Sequence, residues 1–398
     1  MGASAPRLTY CSNVHPAPDL DRQLATLRDH VRPIAAAAAA AGRSFGLGGW
    51  WPMPLVEALH ADAAARAALA AALDESGAPL WTLNVFPFGD FHQEVVKTAV
   101  YDPDWGGEER LRYTLRCAEV GAELMQPGDV LPLSTLPLGY RGADDDPADL
   151  QGMASNLARA AVALAEVEER TGVRCVLALE PEPNCLLETV AQAADFLDGQ
   201  VFDGRTAVPA RDDVLRRHLG VCVDLCHLAV VGEDPLSALD DLRRRAVDVP
   251  KIQVSSCLEV RDPAGLDALL AFDEPRYLHQ TMASGGARAL DLGEVRARRE
   301  EFAGGGRVRT HYHVPLDWDQ EGVFGSTQAE VRRVLRALAA SEAPTPLLEV
   351  ETYTWSVLGD TFGGEALHER IQRELDWVAG FWKNEAPEPT VRIPGRPD

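Results

Sequence analysis

The feature that most constrains this chain is a repeated alternation of two kinds of segment. Short apolar runs that close on a polar residue lie at residues 8–13, 45–51, 80–86, 130–138, 173–180, 219–224, 251–254, 308–313 and 347–351. Between them run stretches with helical periodicity, at 19–41, 55–76, 108–124, 148–170, 189–196, 236–246, 290–302 and 327–340. Eight or nine strand-helix units of this kind predict a parallel sheet whose faces are covered by helices. A doubly wound sheet usually has fewer units, whereas a (β/α)8 barrel needs about 250 residues. The 398 residues therefore predict one α/β domain, a (β/α)8 TIM barrel with insertions, over 1–383.

Local signals mark the ends of these segments. Asp146-Pro147 and Asp234-Pro235 place an N-cap before a proline at the first helical position, and Thr189-x-x-Gln192 and Thr327-x-x-Glu330 read as capping boxes. Gly172 suits a helix C-cap. Residues 255–307 are too long for a simple connection and predict an excursion over the barrel mouth. An amphipathic helix is expected at 365–383. The tail 384–398 carries four prolines and reads as extended or disordered.

Composition narrows the function. Lys and Arg number 38 against 61 Asp and Glu, a formal charge of -23, so the average surface repels phosphate backbones and anionic lipid. No nucleic-acid partner is expected. The seven cysteines form no C-x-x-C pair and several sit in apolar runs, which suits reduced thiols in a cytoplasm. The opening MGASAPR has no apolar core of a signal peptide, and the apolar run 34–41 is far short of the roughly 20 residues that span a bilayer. Membrane insertion is not expected; the oligomeric state is left open.

In a barrel, chemistry sits at the C-terminal ends of strands. Here those ends are rich in metal-type ligands: Glu180, Asp224 with His227 after it, Gln253, His311 and His313, and Glu349 and Glu351. Hard divalent cations want carboxylate oxygen, and Mn, Co or Zn also accept imidazole nitrogen. Three uncompensated carboxylates in one barrel mouth would repel unless a cation neutralised them, which makes Glu180, Asp224 and Glu351 the leading ligands. Glu349 shares strand parity with Glu351, one layer deeper, and reads equally as a ligand or as half of a buried ion pair. His227 is a ligand, a substrate contact or a structural residue. Of His311 and His313, which share parity, His313 is favoured because it lies nearer the strand end. Gln253 is a weak ligand through its amide oxygen, or a substrate contact, and His279 belongs either to the site or to the surface. The histidines at 30, 60, 218 and 368 are expected to be solvated.

The first strands add Asn13 and His15, Trp50 and Trp51, and Asn84 and Phe86 with His92 close behind. Amides and aromatic rings together can bond the hydroxyls and stack on the ring of a sugar-like molecule, although Phe86 and Trp51 fit a packed core equally well. Gly46-Leu47-Gly48-Gly49 lacks the Lys-Ser/Thr of a phosphate loop, and no G-x-S-x-G occurs.

The strand endings ALEPEPN, VDLCH, KIQV and LLEVET, in this order, resemble the xylose isomerase-like TIM-barrel superfamily of sugar isomerases, ketose epimerases and the type IV apurinic endonuclease. Within it, LTYCSNVHP, TLNVFPFGDFH, HYHVPL and ETYTW are similar to EboE-type metabolite-traffic proteins, over about residues 8–383. The resemblance implies that Glu180, Asp224 and Glu351 (or Glu349) hold a divalent ion, Mn, Zn, Co or Mg. It implies that His227 is a metal ligand, as in the endonuclease branch, or a substrate contact, as in epimerases. Gln253 stands where those enzymes usually carry His, with His313 as the candidate substitute. The implied function is a metal-dependent isomerase or epimerase of a small polyhydroxylated sugar or cyclitol, linked to secondary-metabolite traffic, with Glu180 and Glu351 moving protons and His227 assisting. The rivals are an endonuclease IV-type phosphoester hydrolase and a non-catalytic metabolite carrier.

Overall fold

The computed structural model describes residues 5–141, 148–204, 206–304, 306–355 and 365–383. Its centre is a closed barrel of parallel strands. β1 (Leu8–Tyr10), β2 (Leu47–Trp50), β3 (Leu80–Asn84), β4 (Val130–Thr135) and β5 (Arg174–Leu179) follow one another in space as in sequence. The next staves are β6 (Leu219–Val221) with β7 (Val223–Asp224), and β8 (Lys251–Val254). β6 and β7 form one stave interrupted at Cys222: β6 pairs back to β5 and β7 pairs forward to β8.

Between β8 and the last stave the chain leaves the barrel and builds an antiparallel sheet. It comprises β9 (Cys257–Val260), β10 (Thr281–Ala283), β11 (Arg288–Ala289), β12 (Val308–His313), β13 (Gln320–Glu321) and β14 (Phe324–Ser326). β15 (Leu347–Val350) then returns between β8 and β1. The bridge Cys11↔Gly48 joins β1 to β2 and closes the ring.

This arrangement corrects one sequence expectation. Residues 308–313 form a strand with the predicted bounds, but it runs antiparallel between β9 and β10, so the added sheet reaches Ser326 rather than stopping at residue 307. An alternating apolar run has the same appearance in either sheet, because strand periodicity carries no information about partners. Other departures are local. The helix expected over 55–76 is two, Met53–Ala61 and Ala63–Ser76, because Asp62 is extended and caps the second through Ala64 N. Short helices at Asp212–His218 and Leu225–Val231 were not anticipated.

Thr189 and Gln192 form their capping box, Asp234 caps Ser237 N, and Gly172 ends its helix with φ of 75°. Thr327 makes no cap bond; its hydroxyl accepts from Cys257 N instead, and Glu330 pairs with Arg309. Asp146-Pro147 and the tail 384–398 lie outside the described residues. The helix after Asp146 begins at Leu150, capped by Asp149. The C-terminal helix runs Leu367–Gly380 and buries Ile371, Leu375, Trp377 and Val378.

Candidate metal centre

The C-terminal ends of β5, β7 and β15 place three carboxylates together. Glu180 follows the last residue of β5, and its N–H donates to Thr135 O of β4 at 2.9 Å. Asp224 closes β7 and caps the helix Leu225–Val231: its Oδ1 accepts from His227 N at 2.8 Å and from Ser255 Oγ at 2.9 Å. Glu351 follows β15, and its Oε1 accepts from Asn13 Nδ2 at 2.8 Å and Asn84 Nδ2 at 3.3 Å. All three are buried, and one oxygen from each falls within 4.8 Å of the others.

Electrostatics make this cluster costly without a cation. Burial, followed by the charges of Asp224 and Glu349, pushes the Glu351 carboxyl up to about 8. Burial, then Glu351 and Asp224, holds Glu180 well above the ordinary carboxylate range. The nearest ammonium is committed elsewhere. Lys251, fully buried on β8, bonds Glu349 Oε2 at 2.6 Å and Ser134 Oγ at 2.9 Å. Glu349 thus occupies the ion-pair alternative, one layer below Glu351. A side chain on Gly48 would strike it, since a Cβ there would stand 2.0 Å from Glu349 Oε1.

The donors present fit a divalent ion. Glu180 Oε2, Asp224 Oδ2, Gln253 Oε1 and His313 Nε2 are buried with no protein partner. His313 Nδ1 donates to Glu351 O at 2.6 Å, which leaves Nε2 as a bare lone pair, and burial lowers this imidazole to about 4. Asp224, His227 and His313 also form a group with ligand atoms within 4.8 Å. Glu180, Asp224 and Glu351 would hold the cation, with His313 Nε2 and Gln253 Oε1 the further donors. The amide of Gln253 keeps an oxygen donor at the end of β8.

A small cavity, open to solvent, lies over these groups. Glu180, Glu351, His227, His311 and His313 line its floor, Asn13 and Asn84 one side, and Phe86, Phe91, Tyr101, Tyr277 and Tyr353 an aromatic wall.

Four expected substrate contacts, His15, His92, Gln253 and His279, are not among the lining residues. His15 bonds Tyr10 Oη at 3.0 Å and stacks on His30 at 4.4 Å. His92 donates through Nε2 to Asn13 O at 2.6 Å, behind the lining. His279 is spent on His311 O and Glu274 Oε1, both at 3.0 Å. His218, expected in solvent, is buried against Cys175 O at 2.8 Å.

Lys251, Glu182, Gln280 and the tyrosines at 101, 277 and 353 escaped the sequence reading. For Lys251 and Glu182 a signal existed: each lies two residues from a residue singled out, Gln253 and Glu180. The tyrosines come from connecting segments, Tyr101 at the end of a short 3-10 helix, Tyr277 ahead of β10 and Tyr353 just beyond β15, where no period marks direction.

Among curated proteins, none matches the chain by sequence. Solved structures are similar to it at low identity. Escherichia coli YcjR, a 3-keto-D-glucoside 4-epimerase, in its apo form is 14% identical with TM-score 0.44, covering 94% of this chain and 98% of its own. An IolI protein with a bound zinc atom is 12% identical with TM-score 0.46, covering 95% and 99%. A putative sugar phosphate isomerase/epimerase from Anabaena variabilis is 18% identical with TM-score 0.39, covering 63% and 74%. Residues 34–377 match the family described as xylose isomerase-like TIM barrel, and with a closed parallel barrel carrying its acidic cluster at the strand ends, the chain belongs to that family.

Proposed function

We propose that this chain is a divalent-metal-dependent isomerase or epimerase of a small, polyhydroxylated metabolite of sugar or cyclitol type. The observation that carries the reading is the buried convergence of Glu180, Asp224 and Glu351, with Glu180 Oε2 and Asp224 Oδ2 free of protein partners and Glu180 and Glu351 lining a cavity. A cation held there would polarise a carbonyl and an adjacent hydroxyl of the substrate. Glu180 supplies a proton acceptor at Oε2, and Glu351, oriented by Asn13 and Asn84, supplies the second carboxylate for return of the proton. His227 borders the same floor. Phe86, Phe91 and Tyr353 cover the apolar face of a ring and exclude water from the reacting carbons.

The setting we propose is cytoplasmic, supported by seven cysteines that are all free and buried. A link to secondary-metabolite traffic is part of the same reading and rests on the motif resemblance alone.

Two measurements test it. Asp224→Ala should lose most of the bound divalent ion after dialysis while keeping its circular dichroism. Incubation with a substrate sugar or cyclitol ketone in deuterated water should place deuterium beside the carbonyl, and Glu180→Gln and Glu351→Gln should each suppress that exchange. Binding without exchange or chemical change across a panel of sugars, sugar phosphates and cyclitols would favour the carrier. Cleavage of abasic DNA would favour the hydrolase.

A further inference from the structure

The segment that follows β3 gives the cavity an apolar side that continues past the reacting centre. Pro87, Phe91, Val96 and Val100 line the cavity over the carboxylates, and the same four residues line a second hollow beside it. Phe88, Val95 and Ala99 extend that hollow, with Asp90 and Gln93 as its polar members. Val95 is the most exposed large apolar side chain among the described residues, at 57%.

This wall is held in place by the rest of the molecule. Trp50 Nε1 donates to Pro87 O at 3.2 Å, and Val96 N and Lys97 N both donate to Arg276 O at 2.8 Å. Phe91, Tyr277 and Tyr353 pack on one another with ring centroids 4.9–5.6 Å apart. An apolar surface fixed in advance binds a ligand without the cost of ordering itself.

Charge narrows the ligand further. A phosphate ester is recognised by arginine or lysine. Among the described residues the cavity lining has no arginine and one lysine, and Lys97 gives its ammonium to Asp291 Oδ2 at 2.6 Å and Glu274 O at 2.9 Å. Arg276, beside Tyr277, donates through Nε to Gln93 O at 3.1 Å and lies outside the lining. The stretches 142–147 and 356–364 contain neither lysine nor arginine. Glu180, Glu182 and Glu351 face the same space, so an anionic group on the ligand meets like charge there.

We infer that the substrate is a neutral, unphosphorylated polyol ketone with an apolar substituent, an aryl or branched alkyl group, that lies along Phe91, Val96 and Val100 while the polar head reaches the carboxylates. The inference deepens the isomerase reading and rests on it for the identity of the head; the substituent is read from the wall alone.

The test is a matched panel on two scaffolds, D-fructose and an inosose, each as the parent ketone, its phosphate ester and its benzyl ether at the same hydroxyl. Affinity for the zinc-loaded protein, measured by calorimetry, is read beside deuterium uptake from deuterated water. The benzyl ether should bind about tenfold or more tighter than the parent, because it buries a ring against apolar side chains, and the phosphate ester should bind more weakly than the parent. Val100→Asp should weaken the benzyl ether about tenfold and the parent much less; the wild-type panel decides the matter even if that variant misfolds. A benzyl preference without deuterium uptake upholds this ligand class and sinks the isomerase reading. A benzyl ether no tighter than its parent, or a phosphate ester as tight, overturns the inference, while deuterium uptake by the parent leaves the reaction standing. No binding by any member of the panel overturns it as well.

Discussion

Glu349 and Glu351 stand two residues apart on one strand, face the same way, and have opposite fates. Glu349 meets Lys251 inside the barrel at 2.6 Å with both groups wholly buried, whereas Glu351 meets two amides and a cavity. Burial alone would drive the Lys251 ammonium to lose its proton, yet Glu349, Cys222, Glu180 and Cys11 together outweigh it and the group stays charged. Removing one member of such a pair strands the other. Lys251→Met should therefore destabilise the fold by about 3–5 kcal/mol in denaturant unfolding, and adding Glu349→Leu should recover most of the loss. A double variant as unstable as the single one would show that the pair is not the unit. The sequence made both glutamates visible and left their roles open, because parity states which side a residue faces and not what it meets there. The partner that separates them sits on another strand 98 positions away.

At the scale of elements, barrel closure depends on close backbone approach at β2. A Cβ at Gly48 would lie 2.4 Å from Tyr10 O as well as 2.0 Å from Glu349 Oε1, and Gly48 is the residue that bridges to Cys11. Gly48→Ala pushes against backbone and a fixed ion pair, so it should cost roughly 1–3 kcal/mol. Loss of bound metal should follow, since Glu349 and Glu351 share a strand. A thermal midpoint equal to the wild type, with full metal content, would show that β1 and β2 can separate freely. The staves themselves were legible, since each apolar run became a strand. The antiparallel role of β12 was not, because pairing direction is set by what the chain does between 255 and 307, where turns and short strands leave no period. That one element carries His311 and His313, so the sequence located two cavity residues correctly on a strand and misplaced the strand.

For the molecule as a whole, the buried acids set how stability depends on pH. Glu351 is held at about 8 and Glu374, buried beside Thr352 and Trp355, at about 7, burial being the leading cause for both. In the unfolded chain both lose their protons near the ordinary carboxylate value, so the folded state holds more protons between that value and 7 or 8. Stability therefore falls as pH rises through this range. The buried histidines oppose this lower down: His313, at about 4, and His311, also lowered by burial, add stability as pH climbs to about 6.5. Above that, His311 and His313 are neutral in both states and no longer oppose the acids. Metal-free protein should accordingly melt at a lower temperature at pH 8.5 than at pH 6.5, the loss from Glu351 alone being on the order of 2 kcal/mol across that window. A divalent ion that binds the ionised cluster in the folded state only should erase or reverse the trend, because its affinity grows as the carboxyls give up their protons. Melting curves at the two pH values, with chelator and with zinc or manganese, check both halves. Metal-free protein that gains stability at pH 8.5, or a slope untouched by metal, would mean that Glu180, Asp224 and Glu351 do not form one coupled cation site.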